Sequence, residues 1–302
     1  MPNESTHNQI HWFPGHMMKA IKAIETKLPI IDVAIEVLDA RAPLATKSTL
    51  LDRLLEKKIR IIVLNKVDLA DDNFTKEWVT FFESQGFSVL LAKSLTTKMK
   101  PQLLNLITKL MEPQMEKELA KGIVNPKIKV LIMGLPNTGK STFINNLLQR
   151  KVTQTANIPG VTRGQQWIKL NPTIDLLDSP GILPPKMNDQ KVVMILALIK
   201  AIPVKHLFLE EMANFALTFL LENYYERLVK YYNINFEIKN INDETLFLYF
   251  KKLAQKYHLK LANDEDNTHR AMNLFINDLQ VGKLGLISFE IPPKNLFGIF
   301  FD

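Results

Sequence analysis

The run Gly134-Leu-Pro-Asn137-Thr138-Gly139-Lys140-Ser141-Thr142 has the spacing GxxxxGK[ST]. These residue types at this spacing suit one task, the holding of a polyphosphate. The glycines let backbone N–H groups wrap around phosphate oxygens, and a helix starting here adds its positive end. Lys140 brings a point charge to the β- and γ-phosphates, and the Ser141 hydroxyl is a ligand for Mg²⁺. Asn137, Thr138 and Thr142 belong to the same phosphate-facing stretch.

Two further segments complete a hydrolytic site on paper. Asp178-Ser-Pro-Gly181 follows the apolar run TIDLL, so Asp178 can hold Mg²⁺ through water and Gly181 can offer its N–H to a γ-phosphate. Between the two motifs lies Pro159-Gly-Val-Thr162-Arg-Gly164, where Thr162 reads as the second hydroxyl ligand of Mg²⁺ in a switch loop. The base is read elsewhere, by Asn65-Lys66-Val67-Asp68 after the apolar run RIIVL. A carboxylate at 68 accepts from guanine N1–H and the 2-amino group, and adenine has neither donor. Asn65 bonds guanine N7, and Lys66 lies over the base plane. The pair of motifs implies GTP and GDP as ligands.

These residues need strands that end beside one another. Short apolar runs predict strands at Asp32–Leu38, Arg60–Asn65, Ser88–Ala92, Lys127–Met133 and Thr173–Leu177. Helical stretches fall between them at Thr49–Lys57, Thr75–Ser84, Pro101–Lys121 and Lys140–Gln149. Such alternation predicts an α/β fold, a mostly parallel sheet with helices on both faces. From about Asn188 the pattern turns helical, with helices predicted over Asn242–Leu259 and Asp266–Leu279. A domain break near Pro203 gives residues 1–203 and 204–302, the second a smaller all-helical domain.

Composition bounds the possibilities. The 302 residues contain no cysteine, which excludes disulfides and cysteine-held metals. The six histidines form no cluster with metal-ligand spacing. No stretch reaches the length of a bilayer span and no secretory signal is visible, so a cytoplasmic protein is expected. The net charge of +7 divides into +9 on residues 1–204 and −2 on residues 205–302. A basic first domain suits a polyanionic partner such as nucleic acid, with the lysine-rich stretch Lys93–Lys129 contributing.

The order of the motifs is unusual. In a Ras-like GTPase the phosphate loop comes first and NKxD later, whereas here NKVD precedes the loop. A chain re-cut between neighbouring termini builds the same site, so the first domain reads as a circularly permuted Ras-like P-loop GTPase. The sequence resembles the RbgA/YlqF family of ribosome-biogenesis GTPases over nearly its whole length. The carrying residues are HWFPGHMMKA at 11–20, VLDARAP at 37–43, LNKVDL at 64–69, GLPNTGKST at 134–142, PGVTRGQQW at 159–167, LLDSPGILPPK at 176–186 and GKLGLISFE at 282–290. The resemblance implies a GTP-dependent factor in late assembly of the large ribosomal subunit, with the subunit precursor and its rRNA as partners. It also implies a helical C-terminal domain that contacts rRNA. The family's base-holding loop after the strand Ser88–Ala92 reads AKSLTTKMK here, without glycine, and Ser94 is its candidate.

The glutamine that Ras-like enzymes carry after DxxG is replaced by Ile182, which cannot orient water. Two residues offer substitutes. Asn137 stands where K⁺-activated GTPases coordinate a K⁺ ion, and His16 in WFPGHM is the family's candidate for the water-orienting residue. Slow turnover, stimulated by the ribosomal particle, is expected. Two alternatives differ in kind. A P-loop ATPase or nucleotide kinase is disfavoured by NKVD, and an RNA-binding assembly factor with a vestigial GTPase site by the intact Lys140, Ser141, Thr162 and Asp178.

Overall fold

The computed structural model describes residues 15–93, 99–149, 166–182, 189–203, 209–235 and 241–293. The chain forms two compact units, Met1–Asp189 with Glu290–Asp302, and Gln190–Phe289. The first carries a six-stranded sheet. Its strands are β1 (Val33–Asp39), β2 (Ile59–Asn65), β3 (Ser88–Ala92), β4 (Ile128–Met133), β5 (Gln166–Lys169) and β6 (Ile174–Asp178), in the order β3-β2-β1-β4-β6-β5. All neighbours pair in parallel except β5 with β6. Counted from β4, the strand that leads into the phosphate loop, the order becomes 2-3-1-4-5-6 read from the β5 edge. The sheet is thus that of a Ras-like domain whose chain starts in its middle.

The five strands expected from apolar runs are present within a residue at each end. They are legible because their central positions are buried and run apolar; β1 is buried at every position, whereas β3, at the sheet edge, leaves Leu91 exposed. Strand β5 was not expected. It has four residues, lies at the sheet edge and buries only Ile168, so it lacks the apolar run that betrays the others.

Helices cover both faces. On one face α5 (Met99–Ala120) and α6 (Lys140–Leu148) pack Leu103, Ile107, Met111, Phe143 and Ile144 against Ile35, Val37 and Val130. The buried residues of α5 recur every four positions, the stripe that faces a core. On the other face lie α1 (Gly15–Lys27), the short α2 (Pro43–Thr46), α3 (Thr49–Leu54) and α4 (Asp72–Ser84). Ile21 and Ile24 of α1 join Leu51 and Ile182 in one cluster, and Trp78, Phe81 and Phe82 of α4 form another with Leu38 and Leu64. Asp71 caps α4 by accepting from the backbone N–H groups of Asn73 and Phe74.

The second unit is built from α7 (Gln190–Leu198), α8 (Leu209–Asn223), α9 (Tyr225–Tyr232), α10 (Asp243–Lys256) and α11 (Thr268–Gln280). Asn242 and Thr245 form a capping box at α10, and Asn267 caps α11. Phe250 and Phe275 meet edge to face at 5.5 Å in its core. The expected boundary at 203/204 falls later than the division between the units. Helix α7 packs with α8 and α11, because six of its nine residues are buried apolar side chains that the second core absorbs. Segment 282–290 closes this unit with Leu284, Ile287 and Phe289 before the chain rejoins the first at Glu290.

Candidate functional site

Parallel strands end together, and so do the motifs that follow them. Asp39 faces Asn65 across the β1–β2 ladder, Asn65 faces Ala92 across β2–β3, and Asp178 faces Ile132 across β4–β6. NKVD, the phosphate loop and DSPG therefore share the C-terminal edge of the sheet. The chain crosses there from one half of the strand order to the other, the place where open α/β sheets bind ligands.

Contacts between the motifs are direct. The Asn65 Nδ2 donates to the Thr138 carbonyl at 2.9 Å, and the Lys66 Nζ donates to the Asn137 carbonyl at 2.7 Å. The guanine reader and the phosphate loop are thereby fastened together. Gly139 caps α6 with φ +89°, and a Cβ there would stand 2.3 Å from the Asn65 Nδ2. Only glycine satisfies both the left-handed backbone and that close approach. Asp68 is exposed at this edge, as a residue that accepts from a base must be.

On the phosphate side, Lys140 Nζ and Asp178 Oδ1 are 2.5 Å apart and both side chains are buried. The Asp178 Oδ2 is buried with no hydrogen-bond partner among the described residues. A buried carboxylate oxygen left in this state is costly, and a divalent cation beside it relieves that cost. The residues therefore fit Mg²⁺, which Asp178 and the hydroxyl of Ser141, in the first turn of α6, would hold. Bound there, it would supply charge neutralisation for phosphate oxygens. The Gly181 backbone comes close to the loop, since a Cβ on it would lie 2.9 Å from the Pro136 nitrogen, and the Ile182 N–H donates to the Gly134 carbonyl at 3.2 Å. The Ile182 side chain is fully buried with Ile21, Ile24 and Leu131. It is a core residue, so the position of the usual glutamine is taken up by packing against α1 and the sheet.

The structure thus brings together Asn65, Lys66, Asp68, Gly134, Asn137, Thr138, Gly139, Lys140, Ser141, Thr142, Asp178 and Gly181. Ser94 and Thr162, with the whole of PGVTRG, lie outside the described residues. His16 falls at the start of α1, and its side chain is likewise outside them. Three residues that motif reading passed over belong to this edge. Asp39 and Arg41 of the DARAP segment form a buried ion pair, with Arg41 Nε at 2.9 Å and Nη2 at 2.8 Å from the carboxylate. Glu290 accepts from the N–H groups of Leu44 and Ala45 at 2.7 and 2.8 Å and so caps α2. Two opposite charges closing an apolar strand were a visible signal for the first pair. For Glu290, which lies 246 residues from Leu44, there was none.

A phosphate loop at the end of a central parallel strand, a guanine-reading turn two strands away on one side and an acidic DxxG after the adjacent strand on the other define a P-loop GTPase with a permuted chain. The family described as 50S ribosome-binding GTPase matches residues 129–252, starting in β4. Relatives extend over nearly the whole chain. Ribosome biogenesis GTPase A of Bacillus cereus is 38% identical over 94% of this chain and 95% of its own length. The Thermotoga maritima protein of the same name is 34% identical over 93% of this chain and 94% of its own. Among solved structures, GDP-bound YlqF from T. maritima has TM-score 0.60 and 30% identity, covering 89% of this chain and 99% of that one. The GNP-bound form of YlqF has TM-score 0.58 at 30% identity, with 90% and 98% covered. The chain belongs to the ribosome biogenesis GTPase A (RbgA/YlqF) family, and it is a GTP-binding, GTP-hydrolysing enzyme.

Proposed function

We propose that this GTPase uses its nucleotide state to govern its residence on a precursor of the large ribosomal subunit, with slow hydrolysis that the particle accelerates. The observation that carries this reading is the chain path. DSPG, the segment that contacts the phosphate loop, leads through residues 183–188 straight into the helical unit that starts at Gln190. Any change that a γ-phosphate imposes on Gly181 enters the helical unit within a few residues. In this reading the helical unit contacts rRNA. Its acidic balance is offset by the basic first domain, whose helix α5 carries exposed Lys109 and Lys117 and continues into exposed Lys121. Among the described residues no helix is long and apolar enough to cross a membrane, which suits work on a cytoplasmic particle.

In the same reading Asn65, Lys66, Asp68 and Ser94 take the base. Gly134, Asn137, Thr138, Gly139, Lys140, Ser141, Thr142, Thr162 and Gly181 take the phosphates. Ser141, Thr162 and Asp178 hold Mg²⁺, Asp178 through water. Asn137 adds a K⁺ ion beside the phosphates, in place of an arginine finger. His16 orients the attacking water. That role is proposed because Ile182, at the position of the usual glutamine, is buried against Ile21 and Ile24 and cannot orient water.

Sedimentation with large-subunit precursors under GDP and a non-hydrolysable GTP analogue tests the switch. Equal binding in the two states would refute it. Single-turnover hydrolysis on the particle, compared between wild type and His16→Ala, tests the water-orienting role, which equal stimulation would exclude. Asp68→Asn should lose GTP and gain xanthosine triphosphate, and unaltered GTP binding would overturn the base assignment.

A further inference from the structure

Asp39 ends β1, is wholly buried and sits next to the guanine reader in the sheet. Four donors converge on its carboxylate. The Arg41 backbone N–H at 3.1 Å and Nε at 2.9 Å reach Oδ1, while Arg41 Nη2 at 2.8 Å and Lys66 Nζ at 2.9 Å reach Oδ2. The same Lys66 Nζ bonds the Asn137 carbonyl. Arg41, with 6% of its surface exposed, is gripped in a planar fork and cannot swing away.

The electrostatics match the contacts. Burial alone would raise the Asp39 pKa, but Arg41 and Lys66 outweigh it and hold the carboxyl far below the usual range. Burial likewise works against the Arg41 charge, and Asp39 overcomes it, with Asp68 adding to the effect. Two cations thus flank one carboxylate, in the order Lys66, Asp39, Arg41. The ammonium of NKVD is tied to this pair.

The packing of the sheet does not call for a carboxylate here. The neighbouring buried positions Val37, Leu38 and Ala40 are apolar. A lysine with four rotatable bonds, carried on a turn with φ +60°, samples many orientations unless its ammonium is held. Holding it before the base arrives lessens the ordering cost of binding.

We infer that Asp39 and Arg41 are positioning residues for base binding. Asp39 fixes the Lys66 ammonium so that its stem covers the base, and Arg41 holds the Asp39 carboxylate in place. The inference rests on the NKVD reading above. The two residues share one signature. Lys66 covers any purine, so Asp39→Asn should weaken GDP and IDP alike, by about tenfold or more, the worth of one charge-assisted hydrogen bond. Arg41 acts through Asp39, so Arg41→Ala should also weaken both nucleotides and leave the ratio of the two affinities near that of wild type. Arg41→Lys restores charge without the fork and should recover the affinities in part.

Calorimetric titration of the full chain with GDP and IDP, alongside melting curves, provides the test. Folded variants with wild-type affinities would overturn the inference, as would variants that lose GDP but keep IDP. If Asp39→Asn does not fold, the affinities of Arg41→Lys and Arg41→Ala for the two nucleotides still decide. Failure of the underlying reading looks different. In that case wild type itself does not distinguish GDP from IDP, and Asp68→Asn does not turn to xanthosine.

Discussion

Replacing Gly139 by alanine measures how tightly the guanine reader and the phosphate loop are joined. Two costs arise. The backbone at 139 has φ +89°, a left-handed conformation that costs an L-residue ~1–2 kcal/mol. The new Cβ would also stand 2.3 Å from the Asn65 Nδ2. Ordinary contact needs ~3.5 Å, so the amide must retreat by about 1 Å. That movement breaks its 2.9 Å bond to the Thr138 carbonyl. Both groups are buried, and leaving them unpaired costs ~1–3 kcal/mol.

Gly122 separates the two costs. It has φ +82°, and a Cβ there meets nothing within 4 Å. Gly122→Ala therefore carries the backbone cost alone, and Gly139→Ala should exceed it by ~1–3 kcal/mol. Urea unfolding followed by tryptophan fluorescence suits the comparison, because all three tryptophans, at 12, 78 and 167, belong to the sheet unit. Titration with a fluorescent GDP analogue should show a matching loss of affinity in Gly139→Ala and none in Gly122→Ala. Equal destabilisation by the two substitutions would refute the claimed crowding of Asn65.

Three further expectations follow from the geometry. Asp178→Asn removes the charge that faces Lys140 and the unpartnered buried oxygen; Mg²⁺ titrations should show that added Mg²⁺ no longer strengthens GTP binding, while binding in EDTA changes much less. Glu290→Ala frees two N–H groups of α2 and should cost ~1–2 kcal/mol in the unfolding of the sheet unit, the usual worth of a helix cap. Asp39 has its pKa lowered on folding, so its contribution is complete above the ordinary carboxylate pKa of about 4 and is lost as pH falls below it. Acid unfolding curves for Asp39→Asn should accordingly be shallower than wild type below that point.

The amino-acid sequence determined the ligand, the motif order and five of the six strands. GxxxxGKS, NKVD and DSPG are local signals, since each packs its chemistry into a few consecutive residues. Strands buried on both faces announce themselves as apolar runs, and the reversed motif order implies a permuted chain. Ile182 was legible as a missing glutamine, although its place in the α1 core was not. Tertiary structure decided what depends on residues far apart in the chain. The Asn65–Thr138 bond spans 73 residues, and the cap that Glu290 sets on Ala45 spans 245. It also assigned α7 to the helical core, because an apolar helix fits either neighbour until one of them covers it. The DARAP carboxylate shows the same division. Its presence at a strand end was plain in the sequence, but its hold on Lys66 exists only where the β1–β2 register sets Asp39 beside Asn65.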